Sequence, residues 1–388
     1  MGRIARPLLP AMSSPSPLLP LGSALLLTLC AATAGHAQSL EFSVQTQRHS
    51  DATRLNEMAH KSAPPLRPRA GRNLSYEDNE LRLAYRQGSW TLSALGRQSA
   101  AIVANQDGLE FARHLIDKQL PAGDRRFDLD LDYRGFAGGG LALARQFLFG
   151  DAKSARDGWS AHLEVQALSL KRLRHTELLG SASFNAARRA YAFELQGRRA
   201  QDGMGFPFQQ DYAGTCWGLL GQAELQWCGA RACAALAWQD LGRLVWKGLP
   251  QEALTLNSET NSYDADGYLV YKPMLSGRYS QPRYSSSARQ RLQLRGHYES
   301  DWGRSSLQLT HLQGFGWLPE LGLGWNLAPG GMSESMGLQG WGLRWASHER
   351  RLSLDLQGRR WRLSWGSDRL SGSEAHSRQL SLAWIQPL

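Results

Sequence analysis

The residues that could do chemistry in this sequence are charged side chains spaced two residues apart. Arg289, Arg291 and Arg295 share one parity, and the acids within "FDLDLDY" (127–133) share a parity as well. Side chains two residues apart point to the same face of a β-strand, so each set would form a stripe of one charge. Stripes lining a water-filled passage would orient charged solutes. Stripes facing each other would instead form a salt-bridge network that braces a wall.

Motifs of common enzymes and metal sites are missing from the sequence. It contains no G-x-S-x-G, H-E-x-x-H or C-x-x-C segment. "DADG" (264–267) is similar to the start of a calcium-binding loop, but the twelfth position of that loop is not a glutamate. His162, His297 and His311 fall on strand-like runs without a paired nucleophile. We therefore predict no catalytic residue, no metal site and no cofactor, with an outer-membrane lipid-modifying enzyme as a lesser alternative.

The N-terminus has the features of a secretory signal peptide. Arg3 and Arg6 precede the apolar run "ALLLTLCAATA" (24–34), and small residues at Gly35 and Ala37 are typical of a cleavage site before Gln38. We expect residues 1–37 to be removed. After residue 37 no stretch reaches the ~18 apolar residues of a spanning helix, so an exported chain that meets a membrane would cross it with strands.

Three cysteines follow the predicted cleavage site, and an exported chain enters a compartment that permits disulfides. Cys228 and Cys233 flank the four residues "GARA" between two strand-like runs, so they could face each other across a hairpin. Cys216 would then lie outside that bond. Two free thiols at 228 and 233 are the alternative.

Alternation of apolar and polar residues recurs along the whole mature chain. In "RRLSLDLQGRRWRLSWGS" (350–367), Leu352, Leu354 and Leu356 alternate with polar residues before a Gly-Arg turn, and the pattern resumes after it. A period of two predicts antiparallel strands with one apolar face. The predicted strands are 39–47, 79–87, 89–98, 125–134, 139–149, 159–171, 181–197, 215–228, 232–246, 286–299, 304–313, 319–327, 336–346, 350–357, 360–367 and 378–386.

The apolar face of these strands could be a soluble core or a lipid-facing surface. The 14 tryptophans, many near the ends of runs, favour the membrane. The C-terminal "QLSLAWIQPL" also resembles the terminal strand of outer-membrane proteins, although it ends in Leu388 where an aromatic residue is usual. The chain thus resembles the porin-like class of Gram-negative outer-membrane β-barrels. The resemblance implies an all-β transmembrane antiparallel barrel over residues 38–388, with about 16 strands and 14 or 18 as alternatives. An exported β-helix or multi-sheet protein is the soluble alternative.

If the apolar faces look outward, the charged faces line the lumen. Most of the arginines come from late strands and most of the acids from early ones, so closure would place a basic wall opposite an acidic wall. The candidate pore-lining residues are Arg289, Arg291, Arg295, Arg344, Arg351, Arg360, Arg362, Asp128, Asp130, Asp132 and Glu194.

The net charge limits the expected partners. The chain carries +10, of which Arg3 and Arg6 contribute two, leaving +8 for residues 38–388. Nucleic acid is a poor partner for an exported chain without a basic helical motif, whereas lipopolysaccharide phosphates or an anionic solute would fit. Because sixteen strands usually leave an aqueous channel, we expect an outer-membrane channel for small, possibly anionic, solutes and not an enzyme. The alternative is a non-conducting barrel for surface assembly, adhesion or polymer export.

The resemblance also implies contacts with outer-membrane lipids, lipopolysaccharide and the barrel assembly machinery, and it permits an oligomer. The long segment 247–285 is expected to be an outer loop that could fold inward. "DGLEFARHLIDKQL" (107–120) has apolar residues at helical spacing and predicts a short helix in another outer loop.

Overall fold

A computed structural model describes residues 38–58, 64–150, 158–205, 216–258, 261–263, 269–271, 274–327 and 337–388. The predicted signal peptide and the "DADG" segment lie outside the described residues. The strands in chain order are β1 (Gln38–Ser50), β2 (Arg72–Gln87), β3 (Trp90–Asn105), β4 (Arg125–Phe149), β5 (Gly158–Asn185), β6 (Ala190–Gln201), β7 (Cys216–Cys228), β8 (Ala232–Trp246), β9 (Gln251–Asn257), β10 (Asn261–Tyr263), β11 (Leu269–Tyr271), β12 (Leu275–Ser280), β13 (Tyr284–Ser286), β14 (Arg291–Ser300), β15 (Gly303–Leu312), β16 (Gly316–Asn326), β17 (Leu338–Ala346), β18 (Arg351–Gly358), β19 (Trp361–Ser367) and β20 (Ser377–Pro387). The helices are α1 (Leu55–Met58) and α2 (Gln106–Asp117).

Fourteen strands close into an antiparallel barrel. Their order around the wall is β1–β2–β3–β4–β5–β7–β8–β14–β15–β16–β17–β18–β19–β20. β20 then pairs with β1 over Ser39–His49 and closes the ring. Four further strands of the same sheet, β6, β9, β12 and β13, lie outside the ring, and β10 pairs only with β11.

The all-β barrel agrees with the sequence prediction, and the count of fourteen equals the lower alternative rather than sixteen. Two expected turns are wrong. Residues 135–138 run inside β4, where Gly138 and Gly140 lie close against the backbone of β5. Residues 172–180 run inside β5, where Lys171 is an unpaired bulge residue between the pairs Gly138–Leu170 and Ala137–Arg172. A bulge lets the strand continue while its side chains change face, so the predicted strands 125–134 and 139–149 form one strand. The predicted strand 181–197 is also wrong, because it contains the turn 186–189 between β5 and β6.

The two ends of the barrel differ. At one end, called the turn end, tight connections such as 229–231, 301–302 and 359–360 join neighbouring strands, and β1 begins where β20 finishes. At the other, called the loop end, the long connections 51–71, 106–124 and 247–290 emerge. Outer-membrane barrels have this asymmetry, with short turns on the periplasmic side.

The apolar face of the wall looks outward. In β5, Glu164 is 5% exposed, whereas its neighbours Leu163 and Val165 are 48% and 52% exposed. In β18, Arg351 is 1% exposed and Leu352 is 51% exposed. A soluble core would show the reverse order, so this surface is built for contact with lipid.

Tryptophans form two girdles around this apolar band. Trp227 follows Trp217 by ten positions in β7. At ~3.4 Å per residue and a strand tilt of ~40°, this separation corresponds to about 26 Å across the membrane. Such aromatic belts mark the two interfaces of a bilayer. The loop-end girdle comprises Trp217, Trp317, Trp345 and Trp365, and the turn-end girdle Trp90, Trp159, Trp227 and Trp384, all partly exposed.

One side of the wall continues beyond the loop end as an extension, formed by the upper parts of β4 and β5 with β6, β9 and β12. β5 pairs with β7 through Gly158–Ser169, but with β6 through Arg174–Asn185. β6 then pairs with β9, and β9 with β12. Much of the predicted loop 247–285 therefore forms strands of this sheet.

The predicted loop helix is present as α2, which packs on the extension. The Asn105 side chain accepts a hydrogen bond from Gly108 N at 2.9 Å and caps the helix start. Phe111 then contacts Phe127 and Tyr191, with ring centroids 5.7 and 5.6 Å apart. Among the described residues, no helix has the length and apolar character needed to cross a membrane.

Candidate functional site: a cavity above ion pairs in the lumen

Ion pairs cross the lumen between strands that are not neighbours in the wall. Arg97 on β3 contacts Asp240 on β8 through two bonds, Nη1–Oδ1 at 2.5 Å and Nη2–Oδ2 at 2.9 Å. Arg291 on β14 pairs with Asp78 on β2, although at least five strands separate β14 from β2 along the wall. These four side chains join nearly opposite parts of the barrel and narrow the passage at this depth.

A third pair lies beside them. Arg82 on β2 binds Glu164 on β5 through two bonds of 2.6 and 3.0 Å, and Gln166 donates to Glu164 at 2.7 Å. Two parallel bonds hold a guanidinium and a carboxylate more rigidly than one. The three cross-lumen pairs, Arg97–Asp240, Arg291–Asp78 and Arg82–Glu164, are called the ion-pair layer below.

A backbone irregularity directs Asp240 into this layer. Asp240 has φ +63°, a left-handed conformation that Asp tolerates better than most residues. The register between β7 and β8 shifts at the same level, between Gly221 and Ala223. Gly242 is needed nearby because its φ is +147° and an added Cβ would lie 2.0 Å from the Leu219 carbonyl oxygen. The bulge re-aims a side chain, as bulges commonly do beside functional sites.

A cavity lies in the loop-end half of the lumen. Its lining includes five arginines and two glutamates, so its charged groups are mainly positive. Phe136, Leu173 and Leu244 form an apolar wall on the β4–β8 side. The cavity is therefore amphipathic. The charged lining residues are Arg134, Arg174, Arg289, Arg291, Arg351, Glu320 and Glu349.

Arg174 is the cavity arginine with the least compensation. Its guanidinium lies over the Tyr133 ring, 4.9 Å from the centroid. Among the described residues, no carboxylate oxygen lies within 4.0 Å of it, and its buried Nε has no hydrogen-bond partner. A guanidinium beside an apolar wall is well suited to bind a carboxylate or phosphate.

A hydroxyl–imidazole–carboxylate chain lies next to Arg174. The Tyr284 hydroxyl contacts Nδ1 of His175, and Nε2 of His175 is 3.0 Å from Glu177 Oε1. Burial raises the pKa of Tyr284 to about 12, so its hydroxyl keeps its proton and donates to Nδ1. The three side chains form one polar cluster beside Arg174.

Several predicted pore-lining arginines do face the lumen, each paired with a carboxylate. Arg289, which lines the cavity, lies 3.0 Å from Asp132 Oδ2. Arg351 contacts Glu349 in the cavity wall. The same pattern holds for Arg291 with Asp78, Arg295 with Glu224 at 2.5 Å, and Arg344 with Glu320 at 2.6 Å and Asp355 at 2.5 Å. This pairing matches the salt-bridge alternative rather than two separated walls of opposite charge.

Other predicted pore residues lie outside the lumen. Because β4 continues above the barrel, Asp128 and Asp130 stand on the extension, where they pair with Arg126 at 3.2 Å and Arg72 at 3.4 Å. Glu194 belongs to β6, which is not a barrel strand, and is exposed.

Two predicted pore arginines lie at the turn end. Arg360 is an exposed residue of the turn between β18 and β19 and donates to Gln386 at 3.4 Å. Arg362, the second residue of β19, is exposed at the turn-end mouth. Short hairpins leave these positions beyond the membrane-spanning part of the wall.

Cys228 and Cys233 form a disulfide across the turn between β7 and β8. They are direct partners in the ladder, with Cα atoms 4.1 Å apart. Cys216 lies at the other end of β7, opposite Trp246.

The site contains residues that sequence reasoning did not single out. Arg97 and Asp240 had no distinguishing local pattern, and His175 was assigned to a turn. Tyr284 was assigned to a loop, yet it pairs with Trp246 through β13. Arg97 could have been predicted to face inward, because it lies two residues from Leu95 in β3 and Leu95 also faces inward.

Comparison with known proteins gives structural matches only. No protein-family model matches the chain, and no curated protein does. Solved structures similar to it include a deltaS2S3 mutant of the monoaromatic hydrocarbon channel TodX (10% identity, 92% of this chain and 91% of that one, TM-score 0.40). Others are the P. putida toluene transporter TodX (8%, 92% and 91%, TM-score 0.36) and a Pseudomonas aeruginosa FadL homologue (8%, 90% and 90%, TM-score 0.31). These matches are Gram-negative outer-membrane β-barrels, and this chain has the closed barrel of that general class.

Proposed function

We propose that this protein is a selective outer-membrane channel for small anions that carry an apolar group, such as aromatic or short aliphatic carboxylates. The observation that carries the proposal is the amphipathic cavity. Arg174 offers a guanidinium without a carboxylate partner among the described residues, and Phe136 and Leu173 offer an apolar surface beside it. A solute with an anionic head and an apolar body satisfies both walls at once.

The ion-pair layer makes the passage narrow and selective. Arg97 and Asp240 occupy the lumen below the cavity, so a solute passes only when side chains of the layer move. A bound anion competes with Asp78 and Asp132 for Arg291 and Arg289. This competition would loosen the layer in response to the solute, whereas an inorganic cation would leave it intact.

We assign the loop end to the cell exterior, because long loops face outward in barrels of this class. The cavity then opens to the outside and the ion-pair layer separates it from the periplasm. Solute would be captured first and passed inward second.

The test is conductance of the purified full-length mature barrel in planar bilayers, with benzoate, acetate and a monovalent cation compared. We expect small currents that favour anions, with benzoate bound more tightly than acetate. Arg174→Gln should lower the affinity for benzoate and reduce anion preference. The matched control is Arg231→Gln, which removes one positive charge from an exposed turn-end pair with Asp301. Equal behaviour of the two variants would contradict the role of the cavity.

A non-conducting barrel for surface assembly, adhesion or polymer export is the second candidate. The observation that favours it is the same ion-pair layer, because three ion pairs cross the lumen. The two candidates differ in the double variant Arg97→Gln/Asp240→Asn. A channel should then conduct more than the wild type, whereas a scaffold should stay silent in both forms.

A further inference from the structure

Three side chains with metal-binding atoms converge where β1 ends beside the turn between β17 and β18. Nε2 of His49 is 3.0 Å from Asp51 Oδ1, and Nε2 of His348 is 3.1 Å from Asp51 Oδ2. One atom from each of the three lies within 4.8 Å of the others. Two imidazoles and one carboxylate are a ligand set for divalent transition metals.

The three side chains differ in how far they are exposed to solvent. The side chains of His49 and Asp51 are 0% and 1% exposed, whereas that of His348 is 25% exposed. His348 also lines the loop-end cavity. An ion could therefore approach from the cavity side, on which His348 lies.

The distances are close to those that a metal requires. A tetrahedral zinc site with bonds of ~2.0–2.1 Å holds its ligand atoms ~3.3–3.4 Å apart. The distance from His49 Nε2 to Asp51 Oδ1 is 3.0 Å and that from His348 Nε2 to Asp51 Oδ2 is 3.1 Å, so an ion bound by both carboxylate oxygens would have one imidazole beside each of them. The two imidazoles must close toward each other as well, and His348 sits in a four-residue turn, 347–350, that can adjust.

Neighbouring groups hold the ligands in place. Arg69 Nη1 lies 2.6 Å from Asp51 Oδ1, and the backbone N–H of Leu74 donates to Oδ2 at 2.8 Å. The ring of Phe315 meets His348 edge-on at 5.0 Å between centroids, and Tyr76 lies 5.8 Å from His49. Hydrogen bonds of the kind made to Asp51 orient metal-binding carboxylates. Among the described residues, the buried Nδ1 of His49 has no hydrogen-bond partner.

We propose that His49, Asp51 and His348 bind Zn²⁺ or a similar divalent transition-metal ion at the loop end of the barrel. The ion would tie the start of the β1–β2 connection to the β17–β18 turn. These elements lie close only because the barrel is closed, since 297 residues separate Asp51 from His348. The proposal does not rest on the solute proposed above, although His348 also lines the cavity.

Zinc binding to the full-length mature barrel tests the proposal, with protein purified in detergent without a polyhistidine tag and stripped with chelator. We expect saturable binding of one Zn²⁺ per chain by calorimetry, reversed by chelator. His49→Gln and His348→Gln should each weaken binding by more than the ~10–100-fold typical of an outer contact. His311→Gln, on β15 and edge-on to Trp317, is the matched control and should bind as the wild type does.

Two further measurements keep the test valid if a variant fails to fold. Resistance of each variant to unfolding in unheated detergent gels reports whether the barrel has formed. Wild-type protein titrated with Co²⁺ should develop the visible absorption of a four-coordinate nitrogen–oxygen site. Absence of that absorption together with no saturable Zn²⁺ binding would overturn the proposal, as would equal affinities in the wild type and both folded histidine variants. In either case Asp51 is the centre of a hydrogen-bonded cluster only.

Discussion

Arg97 and Asp240 meet across the lumen although β4, β5 and β7 separate their strands in the wall. Their side chains are only 9% and 2% exposed. Removing one member of a buried pair leaves an uncompensated charge, whereas removing both does not. Comparing single and double substitutions therefore measures the contribution of this pair to the free energy of unfolding.

Asp240→Asn should lower the free energy of unfolding by about 3–5 kcal/mol, the usual cost of leaving a buried charge unpaired. Asn keeps the left-handed backbone at this position. Arg97→Met/Asp240→Asn should cost less than the sum of the two single changes. Urea unfolding in lipid vesicles, followed by tryptophan fluorescence, measures each value. The exposed pair Arg231–Asp301 serves as control, and additive costs at residues 97 and 240 would contradict the coupling.

Lipid contact should make the cost of an arginine depend on depth. Val165 lies about midway along β5 between Trp159 of the turn-end girdle and Ser169, the partner of Trp217, and is 52% exposed, whereas Leu380 pairs with Trp365 of the loop-end girdle. Val165→Arg should destabilise the barrel by about 2–4 kcal/mol and Leu380→Arg by about 0–1 kcal/mol. The same urea measurement applies. Equal costs would mean that the girdles do not mark the membrane interfaces.

The loop end should face the cell exterior. In a Cys216→Ser background, Asp128→Cys places a thiol on the exposed extension and Arg231→Cys places one at the turn end. A membrane-impermeant maleimide should label residue 128 on intact cells and residue 231 only after permeabilisation. The reverse pattern would invert the orientation and place the cavity on the periplasmic side.

The mature chain should begin near Gln38 and fractionate with the outer membrane. N-terminal sequencing of that fraction is the measurement, because residues 1–37 have the order of charge, apolar run and small residues that signal peptidase needs. A chain that still begins at Met1 would show that this segment is retained.

The disulfide should have a local role. Mass spectrometry of non-reduced peptides should find Cys228 linked to Cys233, with Cys216 outside the bond. The loop it closes is short, so reduction should cost roughly 2 kcal/mol or less. We expect Cys228→Ser/Cys233→Ser to assemble into a folded barrel. Loss of assembly in this variant would show that the turn must be locked before the strands can pair.

Alternation in the sequence was enough to predict the barrel and its outward apolar face, because each strand must present apolar side chains to lipid on one side. The strand count was harder. Residues 135–138 were predicted as a turn, but in β4 Gly138 and Gly140 let β5 approach closely, and the basic run 171–174 hides the Lys171 bulge. β4 and β5 have 25 and 28 residues, far beyond the usual strand length.

The candidate site was predictable only in part. Parity identified Arg289, Arg291 and Arg351 as inward-facing. Their partners could not be predicted, since closure brings together residues such as Arg291 and Asp78, 213 positions apart. Asp240 reaches the lumen through a bulge and a left-handed residue, and Asp51 and His348 meet at the ends of connections. Local patterns contain no information about such contacts.

At the loop end, the barrel wall is taller on one side of the opening than on the other. β5 runs for 28 residues, whereas β18 has 8, and the connections 313–315 and 347–350 beside it are tight. The wall around the opening is therefore taller on the β4–β5 side than on the β18 side. If the loop end faces the cell exterior, as proposed above, a solute that diffuses along the membrane surface would meet less protein on the shorter side.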